Sequence, residues 1–121
     1  MLRYRLSDAA QADVIETLAW THEQFGEAAQ RRYESLIVAA LRDVATDPDR
    51  PGSIQRPELG ARARSWHLRL SRDHVGTGAG GVRRPRHFLI YRVEPGLLVV
   101  GRVLHDAMEL AQHMGPETSW E

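Results

Sequence analysis

The 121-residue sequence contains no cysteine, no lysine and no asparagine. Without cysteine there is no disulfide framework, no thiolate nucleophile and no cysteine-ligated zinc. Without lysine a Walker-type phosphate loop, a Schiff-base enzyme and a protein kinase are all excluded, because each needs that amine. All 16 basic residues are arginine. The joint loss of lysine and asparagine, both written with A-rich codons, fits a GC-rich coding sequence. Long apolar runs are absent too: Arg102 interrupts the longest, so none approaches membrane-spanning length. The opening MLRYRLSD has no signal-peptide core, and the default expectation is a cytoplasmic protein.

Formal net charge is zero, but it is unevenly distributed. Residues 1–49 carry 5 arginines against 9 acids, residues 50–104 carry 11 against 3, and residues 105–121 carry 4 acids and no arginine. A neutral total argues against indiscriminate DNA binding. The middle segment should still present a basic surface to something anionic.

The organising stretch is Arg86–His105, where RHFLIYRV and LLVVGRVLH flank the punctuation Pro95-Gly96. This predicts a β-hairpin with a loop slightly longer than two residues. Arg92 and Arg102 are lone charges within these apolar strands, and each must reach solvent, a carboxylate or a partner. Leu2–Leu6 alternates as a short strand. Ser7 and Asp8 then suit a helix N-cap and first turn. Val14, Ile15, Leu18, His22 and Phe25 follow helical spacing to a stop at Gly26. A second helix, Ala28–Thr46, carries Tyr33, Leu36, Ile37, Ala40, Leu41 and Val44 on one face and ends at Asp47-Pro48. Asp47–Ala63 reads as a loop, Arg64–Leu70 as a strand, Ser71–Pro85 as a polar connection and Asp106–Met114 as a short amphipathic helix. The expectation is one α+β domain over residues 1–114, β-α-α-β-β-β plus that helix. A helical hairpin covers a small, mainly antiparallel sheet, and 115–121 is a loose tail.

Several patterns invite chemistry. Gly76, Gly78 and Gly81 match GxGxxG, but the segment leads into a strand and reads as a flexible loop. His105, Glu109 and His113 recur every four residues, yet span about 12 Å of helix, too far for one metal ion. No metal or cofactor site is expected. Trp20 and Trp66 read as core or core-edge residues, and Trp120 lies in the tail. Arg56, Arg62, Arg64, Arg69 and Arg72 form either a solvated loop or, with Arg92 and Arg102, a binding surface. Metal-free RNA cleavage needs a base, an acid and a cation, roles that Glu58, His105 and Arg92 can fill on paper. The plain alternative is a loop carboxylate, a strand-end histidine and a structural arginine.

The segments YRLSDAAQADV, FGEAAQRRYESL, RPEL, FLIYRVEPG and VVGRVLHDAMEL, in this order and spacing, resemble the ParE branch of the RelE/ParE toxin superfamily. The resemblance runs from about Leu2 to Met114. It implies a type II toxin neutralised by a ParD-like antitoxin in a hetero-oligomer and acting on DNA gyrase, with no membrane association and no sequence-specific DNA binding of its own. Glu58 and Arg92 match positions used by RNA-cleaving relatives, which gives the alternative of a ribosome-dependent messenger-RNA endoribonuclease with His105. A third possibility is an inactive relative that only binds its antitoxin. The RVLHD ending without a following tyrosine is in the ParE style and favours the non-nuclease branch. The residues expected to meet the antitoxin or target are Arg64, Trp66, Arg69, Arg92, Arg102, His105 and Glu109.

Overall fold

In the computed structural model, which describes residues 1–75, 81–107 and 120–121, the chain starts with strand β1 (Arg3–Leu6) and turns at Ser7 into helix α1 (Asp8–Phe25). The Ser7 hydroxyl accepts the Ala10 amide at 3.0 Å and donates to the Gly101 carbonyl at 2.7 Å, so one buried side chain caps the helix and ties it to the sheet. Such caps contribute about 1 kcal/mol. Gly26, at φ +92°, makes the sharp joint to α2 (Glu27–Thr46), a conformation that costs glycine nothing. Every residue expected on the inner face of α2, from Tyr33 to Val44, is buried.

Among the described residues four further strands follow: β2 (Ile54–Gln55), β3 (Arg64–His67), β4 (His87–Glu94) and β5 (Leu97–His105). They form one sheet in the order β1-β5-β4-β3-β2. β1 lies parallel to β5, and every other pairing is antiparallel. The α+β class and the helical hairpin on a small sheet are therefore as expected. The loop after α2 is more structured than its composition suggests, since it contributes β2 and a 3-10 turn at Pro57–Leu59.

The β4–β5 hairpin is tighter than expected. Glu94 pairs with Leu97 across a two-residue turn in which Gly96, at φ +69°, takes the left-handed position after Pro95. Its register then slips: Tyr91 pairs with Val100 but Ile90 pairs with Arg102, leaving Gly101 as the extra residue of a β-bulge.

β3 is shorter than the expected Arg64–Leu70 strand. At His67 the ring Nδ1 accepts the Arg69 amide at 3.0 Å, and Leu68–His74 winds into a 3-10 helix. Trp66 Nε1 donates to Ser71 Oγ (2.9 Å), and Ser71 donates to Asp43 of α2 (2.6 Å), which draws this segment onto the helical layer.

Each sheet face has its own core. Leu36, Leu68, Leu89, Tyr91, Leu98 and Val100 meet under the helices, whereas Leu59, Ala63, Ile90, Val99, Leu104 and Trp120 pack on the opposite face. Trp120 is thus no part of a loose tail. It is 2% exposed, and a Cβ on Gly101 would sit 2.7 Å from its ring. Helix α1 corrects the expected stripe: Val14 and Leu18 pack against the core, while Ile15, His22 and Phe25 are exposed, and so is Trp20, expected at the core or its edge. The expected 106–114 helix lies outside the described residues from 108 onward.

Candidate functional site

Where β5 and the start of β4 pass beneath α1 and α2, a groove of about 1510 Å³ opens. That exceeds the roughly 300–1,000 Å³ of small-molecule pockets and suits a polypeptide segment. Trp20 and Phe25, their rings edge to face at 5.8 Å, form its apolar wall. Arg32, Arg83 and Arg84 line its basic side, and Tyr33, His87 and His105 also line it.

The antiparallel register sets His87 directly opposite His105, with ring centroids 5.2 Å apart. Tyr33, from α2, bonds His87 Nδ1 at 2.6 Å and accepts the Arg86 amide at 3.2 Å. Burial pushes the Tyr33 phenol up to about 12, and burial together with the neighbouring His105 pushes His87 down to about 4. Both are neutral at pH 7. Beside them Asp106 accepts from Arg86 Nε at 2.9 Å and bonds His67 Nε2 at 3.1 Å. Burial alone would raise the Asp106 carboxyl, but these partners hold it below the usual carboxylate range.

The basic middle of the chain is largely answered from within. Arg102 donates through Nε (2.7 Å) and Nη2 (3.0 Å) to Asp13 of α1, which also takes the Val103 amide at 2.9 Å. The Asp13 bonds hold the Arg102 guanidinium still more firmly protonated. Arg50 reaches Asp43, Arg64 reaches Asp49 and Arg86 reaches Asp106. The +8 of residues 50–104 therefore does not all appear as free surface charge.

The expected binding residues fall in several places. Arg64 is part-buried and bonds Ser53 (2.7 Å). Trp66 is a core residue with Arg50 stacked over it at 5.4 Å, and Arg69 is exposed on the 3-10 helix. Arg92 lies on the second face, its guanidinium 4.7 Å from the Trp120 ring centroid. Arg102 and His105 share the groove, and Glu109 lies outside the described residues.

Nor do the three residues of the ribonuclease alternative converge. His105 pairs with His87, five residues along β4 from Arg92, a separation of about 17 Å at strand rise. Arg92 packs beneath Trp120 on one face, while His87, opposite His105, is held by Tyr33 of the helical layer. Glu58 is exposed on the 3-10 turn.

Asp43, Ser71 and His74 do meet, with both partners on Asp43 Oδ2 at 2.6 and 2.7 Å. The carboxylate lies between the other two, so the histidine cannot relay a proton from the serine as a hydrolytic triad requires. This cluster ties the 3-10 helix to α2. Among the described residues no three His, Asp or Glu side chains are grouped to hold a metal, and no helix among them is long and apolar enough to cross a membrane.

Sequence reasoning singled out neither His87 nor Tyr33 as a site residue. The signal for His87 is the pairing register, which depends on the bulge at Gly101, and Tyr33 enters as the α2 side chain that bonds it.

Residues 4–110 match the family described as ParE toxin of type II toxin-antitoxin system, parDE. The chain belongs to this family. The match spans α1, α2 and all of the described sheet except Arg3, and it places the chain in the RelE/ParE superfamily with the role of a ParE-type toxin. Membership also implies a cognate antitoxin as partner. No curated protein sequence matches the chain.

Proposed function

We propose that this ParE-type toxin is neutralised by a ParD-like antitoxin and acts by binding and inhibiting DNA gyrase rather than by catalysis. The observation that carries the non-catalytic part is the separation of Arg92 from His105 by about 17 Å of strand. A base, an acid and a cation must all reach one phosphate to cleave RNA without metal, and Glu58, Arg92 and His105 are not gathered for that. The groove supports the antitoxin part. An exposed aromatic wall and the basic side chains of Arg32, Arg83 and Arg84 suit an acidic, amphipathic segment that orders on binding. Arg102 and His105 are the expected contacts that lie in it.

The test is a supercoiling assay with purified toxin, gyrase, ATP and relaxed plasmid, with and without the neighbouring antitoxin. Inhibition relieved by the antitoxin supports the proposal. Gyrase left unaffected by a folded, antitoxin-competent toxin overturns the target, and cleavage of ribosome-bound messenger RNA is then the next activity to assay.

A further inference from the structure

Three histidines stand at one corner of the sheet, and their partners fix the same tautomer in each. The Arg69 amide donates to Nδ1 of His67 at 3.0 Å, and the Ala107 amide donates to Nδ1 of His105 at 3.0 Å. An amide N–H cannot accept, so each Nδ1 is bare and the ring proton of the neutral imidazole lies on Nε2. At His87 the Tyr33 hydroxyl accepts the Arg86 amide, and among the described residues its own proton has no acceptor other than Nδ1 at 2.6 Å, which leaves the ring proton on Nε2.

What differs is the use made of that donor. His67 gives its Nε2–H to Asp106 Oδ2 at 3.1 Å. Among the described residues nothing accepts the Nε2–H of His87 or of His105, and both line the groove. A metal ion does not answer the need, because a protonated Nε2 offers it no lone pair. A hydrogen-bond acceptor does. The two rings stand edge to face with centroids 5.2 Å apart, close enough for one carboxylate to meet both, and Arg83 and Arg84, which line the same groove, offset the nearer charge of Asp106, whose Oδ1 lies 3.7 Å from His105 Nδ1.

We propose that His87 and His105 form a two-donor site for a side-chain carboxylate of the antitoxin segment that occupies the groove, taking the part for this pair that Asp106 takes for His67. The inference rests on the antitoxin reading for its ligand, while the donor pair itself stands on the geometry of the toxin.

The first measurement needs neither a variant nor the antitoxin. Imidazole resonances of the full toxin are followed by NMR at pH 7.5 during titration with sodium acetate, against sodium chloride at matched ionic strength. The expected result is a saturable shift of His87 and His105 together, with His67 unmoved. The second measurement is antitoxin affinity. His105→Phe keeps a ring but removes the donor, and should weaken binding about 10- to 100-fold, the effect of losing a hydrogen bond to a charged group. His105→Gln, whose amide nitrogen stands near the lost Nε2, should restore most of it.

Acetate that shifts neither histidine, or an Nδ1–H tautomer at either ring, overturns the donor pair. His105→Phe that binds the antitoxin as tightly as wild type overturns the carboxylate contact. A wild-type toxin that responds to acetate but ignores the antitoxin keeps the donor pair and brings down the antitoxin reading instead.

Discussion

Gly101 and Trp120 should be energetically coupled, and the coupling can be worked from the packing. A Cβ at Gly101 would lie 2.7, 2.8 and 3.0 Å from three Trp120 ring atoms, well inside the 3.5–4.0 Å at which carbon atoms attract. The ring cannot simply step back, because Leu59, Ala63, Ile90, Val99 and Leu104 enclose it. Gly101→Ala therefore overpacks the second face and should cost about 1–3 kcal/mol. Trp120→Ala removes a large buried side chain and should cost about 3–5 kcal/mol. In the double variant the clash has gone and the new methyl enters the space that the ring left. Gly101→Ala should then be close to neutral, and the double variant about 1–3 kcal/mol more stable than the sum of the singles allows. Urea unfolding of the four proteins, with a common m-value, measures this directly. Additivity within about 0.5 kcal/mol, the behaviour of independent sites, would refute the packing of Trp120 against the bulge.

Two more perturbations address the groove. Asp13→Ala removes the carboxylate that the Arg102 guanidinium and the Val103 amide share. It should cost about 2–4 kcal/mol in urea unfolding, near the range for breaking a partly buried pair, and a cost under about 0.5 kcal/mol would show that solvent replaces the carboxylate. Acid should reveal His87, whose folded value near 4 lies below the 6.5 of a free imidazole. Between those limits the unfolded chain binds a proton that the folded chain refuses, so the contribution is complete above pH 6.5 and is lost as pH falls towards 4. Allowing for partial solvent contact, the loss is about 2 kcal/mol. His87→Gln should flatten the stability profile between pH 6.5 and 4.5, and an unchanged slope would remove His87 as its source.

What could be read in advance follows the range of the interactions. Helix α2 buries its expected face because a 3.6-residue stripe is a local pattern. The β4–β5 hairpin is announced by Pro95-Gly96 for the same reason. The bulge is not announced: a glycine inside a strand hints at one, but only the Ser7 and Trp120 contacts explain why it falls at Gly101. Without it His87 would face Leu104 rather than His105, and the most distinctive pair in the groove would be split between the faces. Arg102 pairs with Asp13 across 89 positions of sequence, so its lone charge could be flagged but its partner could not. Trp20 and Phe25 mislead for the opposite reason. Their size suggests core, yet the helix turns them outward.

The parallel pairing of β1 with β5, Arg3 against Leu97 through Leu6 against Val100, joins the earliest described strand to the latest. During synthesis the helical hairpin, complete at Thr46, emerges well before the strands that cover it. At about 5–20 residues per second the Leu36, Ile37 and Val44 face waits roughly 3–11 s for β5. Pairing across that sequence separation is slow relative to local helix formation. The nascent chain therefore passes through an interval as an amphipathic hairpin without its sheet. In that interval it displays an apolar face that the finished fold conceals, and lacks the strand pair on which the groove is built.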